Sequence, residues 1–130
     1  RDPPPISKNG KWGEGREGGM KQSPIFSHTY DFVAWLIPIT VKFPRSQRFV
    51  MAAALQQESL RFQSLLIEAA HHEKKRDLLV SADAELDKVR IHLRMSLEMG
   101  LLQSGQYEHA ARMMTEIGML LGGWMKTTQA

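Results

Sequence analysis

The chain has 130 residues, 42% of them hydrophobic and 24% charged, with 17 Lys and Arg against 14 Asp and Glu for a net charge of +3. That is one domain with one core, and the mild positive balance permits a nucleic-acid partner without requiring one. The absence of Cys excludes disulfides, zinc-finger chemistry and a thiol nucleophile. The longest apolar runs, such as Phe32 to Ile39 and Met51 to Leu55, fall short of the ~18 residues a membrane helix needs, and no secretory signal is present. The expectation is a soluble, cytoplasmic protein without a membrane partner.

Residues 1–26 read as a disordered Gly/Pro-rich leader. Pro3-Pro4-Pro5, Gly10, Gly13, Gly15 and Gly18-Gly19 surround few apolar side chains, too little burial to offset the entropy of ordering. Met20-Lys21-Gln22-Ser23-Pro24 reads as the start of the protein proper, with residues 1–19 a translated leader or an expression remnant. Residues 27–130 then form one domain, in which 12 basic residues stand against 11 acidic ones.

The first helix is expected from about His28 to Phe43, with Ser27 as N-cap and Asp31 in the first turn. Tyr30, Val33, Leu36, Ile37, Thr40 and Val41 recur at helical spacing as its core stripe, while Phe32, Trp35 and Ile39 form a second stripe for another surface. Pro38 interrupts the hydrogen-bond ladder. Phe43 before Pro44 is pushed out of the α region, so the helix stops there, and Pro44 suits the first turn of the next. Lys42, Arg45 and Arg48 project from this corner with no Asp or Glu among them, and the Arg48 guanidinium is placed to bond the carbonyls that end the first helix.

The second helix is expected from Arg45 or Ser46 to about Lys74, roughly 45 Å at 1.5 Å per residue. Its inward face is read as Phe49, Ala52, Ala53, Leu60, Ile67 and Ala70, flanked by Leu55, Phe62 and Leu66. Lys74, Lys75 and Arg76 close it where the macrodipole favours cations. The third helix runs from about Leu78 to Leu101. Leu79, Ala82, Leu86, Val89, Leu93 and Leu97 form its core line; Ile91, Met95, Met99 and Leu102 form a separate apolar line that implies burial on a second side. Lys88, Arg90 and Arg94 lie between these lines, with Asp87 and Glu98 at pairing distance in sequence. Ser104 caps a fourth helix to about Lys126, with Tyr107, Ala110, Ala111, Met114, Ile117, Leu121 and Trp124 inward. Gly118 and Gly122 lie four apart on it and would admit a close helix neighbour. The fold class is therefore all-α, an antiparallel up-down four-helix bundle.

Catalytic and metal chemistry find little footing. Glu68-x-x-His71 is half of a di-iron ligand set, but no second such pair follows, so no metal or cofactor is expected. His28, His71, His72, His92 and His109 lack a Ser or Asp arrangement for nucleophilic catalysis, and no phosphate-binding Gly loop precedes a Lys-Ser or Lys-Thr pair. The expectation is a non-enzymatic binding protein. A helical metal-binding or enzymatic bundle is the alternative of another class.

Several motifs in order resemble the accessory variability determinant (Avd) family of diversity-generating retroelements. They are Tyr30-Asp31-Phe32, Trp35-Leu36-Ile37-Pro38, Lys42-Phe43-Pro44-Arg45-Ser46-Gln47-Arg48-Phe49, Leu66-Ile67-Glu68-Ala69-Ala70, Gln106-Tyr107-Glu108-His109-Ala110-Ala111-Arg112, Glu116-Ile117-Gly118 and Leu121-Gly122-Gly123-Trp124. The resemblance covers about Thr29 to Lys126. It implies a homopentameric barrel of four-helix bundles with a basic surface. Such a protein binds the retroelement reverse transcriptase and template RNA or an RNA/DNA hybrid, and supports mutagenic complementary-DNA synthesis without being the polymerase. A protein encoded in an intervening sequence of a ribosomal-RNA gene shares this fold and is the nearer alternative. The cationic candidates for partner contact are Lys42, Arg45, Arg48, Lys74, Lys75, Arg76, Lys88, Arg90, Arg94 and Arg112. Among the corner residues Arg45 is favoured for a partner contact. Repetition around an oligomer would turn each modest cluster into a band of charge.

Overall fold

A computed structural model describes residues 23–128; the expected leader lies, through residue 22, outside the described residues. Four α-helices follow one another: α1 Pro24–Val41, α2 Met51–Ala70, α3 Arg76–Glu98 and α4 Ser104–Lys126, with a 3-10 turn, Arg45–Gln47, between the first two. Each helix packs on its chain neighbour and α1 closes the ring against α4. The described residues form no strand, and the four-helix expectation holds.

The core is a column of aliphatic and Phe side chains from all four helices, including Phe32, Leu36, Leu55, Phe62, Leu66, Leu86, Leu93, Ile117 and Leu121, each at most 1% exposed. Fully burying a side chain of that size contributes ~1.5–3 kcal/mol, so these residues dominate the stability. Phe26 on Trp124 and Trp35 on His109 add edge-on ring contacts between α1 and α4. Burial of Ile25 and Phe26 starts α1 at Pro24, a turn earlier than expected, and Pro at the first helical position loses no intrahelical bond. Ser27 is inside the helix, its hydroxyl donating to the Pro24 carbonyl at 3.0 Å. Phe32, expected on a second surface, is instead in the core, whereas Val41 is exposed. Ala34 and Pro38 both lie on the exposed side, so the ladder bond that Pro38 cannot make is missing from the solvent face of the helix and not from the core.

Helix α2 is shorter than expected at both ends, about 30 Å at 1.5 Å per residue. At its start Val50 has φ −118° and ψ −93°, outside the helical region, and Gln47 Oε1 accepts the Met51 N–H at 3.4 Å. At its end no apolar side chain occurs between Ala70 and Leu78, so nothing buried holds further turns in place. The inward face is also rotated from the expected one. Ala52, Leu55, Ser59, Phe62, Leu66 and Ala69 are buried, while Phe49 and Leu60 are exposed. Helix α3 keeps its expected core line from Leu79 to Leu93, with Ser96 and not Leu97 buried in the last turn. It stops at Glu98, because Gly100 adopts φ +77°, the left-handed conformation that ends helices and that glycine enters without a Cβ penalty. The Leu101 N–H then bonds the Ser96 carbonyl at 2.8 Å. Ser104 is the first residue of α4 and not its cap; Gln103 precedes it, its N–H donating to Gln106 Oε1 at 2.9 Å.

Candidate nucleic-acid interface

The up-down order places the α1–α2 corner and the α3–α4 loop at one end of the bundle and residues 71–75 at the other. At the corner, α1 ends by turning its last amides back on itself. Lys42 N–H reaches the Ile39 carbonyl and Phe43 N–H the Thr40 carbonyl, both at 3.1 Å. Phe43 is buried, while Pro44 follows in an extended conformation that starts the 3-10 turn. Thr40 is pinned underneath: its hydroxyl donates to the Ile37 carbonyl at 2.7 Å and accepts from Gln56 Nε2 at 2.9 Å, which ties α1 to α2. The buried Phe43 and this hydrogen bond hold the corner rigidly.

Lys42, Arg45 and Arg48 are all exposed at this corner. Among the described residues none of the three is in an ion pair, and no side-chain hydrogen bond engages them. The expected bond from the Arg48 guanidinium to the end of α1 is therefore not formed, because the backbone amides of Lys42 and Phe43 already satisfy those carbonyls. Arg45 and Arg48 instead flank a groove of about 240 Å³ with Thr40, Phe43 and Gln56 in its walls. No Asp or Glu occurs from Phe32 to Gln57, so the chain supplies no local acid to the cations. The corner's apolar part was missed by sequence pattern: Val41, Phe49 and Val50 are all exposed, Phe49 at 84%.

The other cationic candidates divide by environment. Lys74 is exposed, whereas Lys75 is half-buried with Nζ donating to the Ala69 carbonyl at 3.0 Å and to the His72 carbonyl. Lys75 thus does what was expected of the whole run, capping the negative end of α2. Arg76 does not, since it is the first residue of α3, beside Asp77 in that helix's first turn. Lys88 donates to Glu85 Oε2 at 3.0 Å and shares it with Arg61 at 3.6 Å; Arg90 pairs with Asp87 at 2.6 Å and Arg94 with Glu98 at 2.9 Å. These three are neutralised within one helical turn. Arg112 is exposed on α4 and lines an open depression of about 350 Å³ with Glu116 and Met119. Structure therefore gathers Lys42, Arg45 and Arg48 into one cluster, separates them from Lys74–Arg76 by the length of α2, and leaves Lys88, Arg90, Arg94 and Arg112 on other faces.

The histidines are placed by packing. His28 Nδ1 meets Glu116 Oε1 at 3.0 Å between α1 and α4, and His92 Nδ1 meets Glu58 Oε1 at 2.8 Å between α3 and α2. Glu68 and His71 are exposed at the end of α2, and no group of three or more His, Cys, Asp or Glu among the described residues is arranged to hold a metal. No helix among them is long and apolar enough to cross a membrane.

The expected second apolar line of α3 is divided: Ile91, Met95 and Met99 are on the surface, joined there by Val80, all four 42–60% exposed, whereas Leu102, past the turn at Gly100, is buried in the core of its own bundle. The four exposed residues lie opposite the Leu79, Leu86 and Leu93 core line at helical spacing. Gly118 faces the neighbouring α3, where a Cβ would lie 2.5 Å from the Arg90 guanidinium and 3.9 Å from Leu86, while Gly122 and Gly123 face open space and have no close neighbour in the bundle.

No curated protein matches the chain. A family model described as bAvd-like matches residues 25–128, from the first turn of α1 to the last described residue. The matched span contains all four helices and the corner, and the chain belongs to the bAvd-like family.

Proposed function

We propose that this protein is the non-catalytic accessory subunit of a diversity-generating retroelement, binding the element's reverse transcriptase and its template RNA, or the RNA/DNA hybrid made from it, to support mutagenic complementary-DNA synthesis. The carrying observation is the corner of a bAvd-like chain: three exposed cations with no ion pair among the described residues, in a stretch, Phe32 to Gln57, that contains no acid. Such a cluster attracts phosphates, and its affinity falls with salt as counterions are released.

The protein acts as a homopentamer in this reading. Support comes from the apolar line Val80, Ile91, Met95 and Met99, which one bundle leaves uncovered and a neighbouring copy would bury. Five copies present five corners, so contacts of modest strength add up along one RNA.

The deciding experiment is a pull-down of the full chain with the reverse transcriptase encoded beside it, with and without template RNA, at low and high salt. Recovery of both partners, with the RNA component lost at high salt, supports the reading. Failure to recover the reverse transcriptase at either salt, with or without RNA, overturns it.

A further inference from the structure

The corner holds a side chain that phosphate binding alone does not use. Phe49 is 84% exposed, while the other four Phe residues of the chain are at most 8% exposed. The ring has no aromatic partner among the described residues. It follows Arg48 directly and precedes Val50, whose non-helical backbone turns the chain into α2. A ring held in water beside cations leaves its aromatic face open to a partner.

We propose that the corner binds unpaired nucleotides, with Phe49 stacking on a base and Lys42, Arg45 and Arg48 holding the flanking phosphates. The proposal rests on the nucleic-acid reading above and adds to it the form of the ligand. Charge complementarity selects a polyanion, because the corner offers three cations and no carboxylate between Phe32 and Gln57. The ring then selects among polyanions: bases inside a duplex are stacked on each other and closed to a side chain, whereas a single strand offers each base face to an aromatic ring. The contrast with α3 points the same way. The other exposed large apolar side chains among the described residues are Val, Leu, Ile and Met, which suit aliphatic packing against protein but provide no stacking face. Aromatic exposure and unpaired positive charge coincide at this corner.

The test is fluorescence anisotropy of the full-length protein with a labelled single-stranded oligouridylate and with the same strand annealed to oligoadenylate. Phe49→Ala is expected to weaken the single strand about tenfold, within the range measured for loss of one stacked base, and to leave the duplex within about twofold. Phe49→Trp retains single-strand affinity and Phe49→Leu does not. Because Phe49 is exposed, these variants keep the fold, which circular dichroism checks. Equal losses on both ligands, no loss in Phe49→Ala, or full affinity in Phe49→Leu each overturns stacking. So does a fall in assembly mass for Phe49→Ala by light scattering, which would place the ring between copies of this chain. Absence of binding to either ligand by the unaltered protein removes the nucleic-acid reading as well; binding that is indifferent to Phe49 removes stacking alone.

Discussion

The corner and the outer face of α3 carry the same number of candidate cations and use them in opposite ways. On α3, Lys88, Arg90 and Arg94 each have a carboxylate three or four residues away, and all three pairs form. At the corner, Lys42, Arg45 and Arg48 have none from Phe32 to Gln57 and form no ion pair among the described residues. The apolar side chains differ in one respect: α3 shows only Val, Ile and Met, whereas the corner adds the Phe49 ring to Val41 and Val50. Counting cations does not distinguish these regions; counting the acids at helical spacing does. One surface is electrically closed and suited to packing, and the other is electrically open.

The largest expected effect tests whether the α3 charges are structural. Glu85 has a side chain only 10% exposed and is held by Lys88 and Arg61. Arg61→Ala with Lys88→Ala leaves that carboxylate without a cation, a loss of about 2 kcal/mol by analogy with other half-satisfied buried groups. Thermal denaturation followed by circular dichroism is expected to show Tm lower by about 8 °C. Adding Glu85→Gln restores most of it. An unchanged Tm would make the α3 charges a merely solvated face and dissolve half of the comparison.

The next effect concerns the open surface. Arg45→Ala with Arg48→Ala is expected to weaken RNA binding about tenfold and to reduce the slope of log affinity against log salt by about 2, one for each phosphate contact removed. Tm is unchanged, since neither side chain bonds a described residue. A variant that unfolds would show the corner cations to be structural after all.

Much of this contrast was legible before any coordinates, and the exceptions have identifiable causes. The helix order, the α3 core line from Leu79 to Leu93 and the Asp87 and Glu98 pairings follow from period and spacing alone. The face of α2 did not, because apolar residues occur nearly all round that helix and the true stripe runs through Ser59, a polar residue made compatible with burial by a hydroxyl bond to the Gln56 carbonyl at 3.3 Å. Phe49 was misplaced for another reason: period extends α2 back through it, whereas the non-helical Val50 starts the helix at Met51 and leaves Phe49 outside. The end of α2 was overrun because His71 to Asp77 contains no Gly or Pro; the missing signal was the absence of any apolar anchor, not the presence of a breaker. Gly100, by contrast, was visible as a weak point and is in fact the stop.

The smallest effect sharpens the status of Arg90, which separates the closed face of α3 from α4. Gly118 admits the guanidinium: a Cβ there would meet it at 2.5 Å. The clash falls on the far end of a flexible side chain that is 39% exposed, so Arg90 can swing outward at the expense of its pair with Asp87, which at the surface is worth ~1 kcal/mol at most. Against that stands the gain of replacing Gly by Ala within a helix, ~1 kcal/mol. The two nearly cancel, so Gly118→Ala is expected to shift Tm by less than about 4 °C, and Asp87→Ala in the same background to be neutral because the pair is already gone. Gly122→Ala meets open space and carries only the gain, raising Tm by about 4 °C in the isolated bundle. If Gly118→Ala instead costs several degrees while Gly122→Ala raises Tm, Arg90 packs on α4 as part of the core's rim, and the closed face of α3 is held by burial as well as by charge.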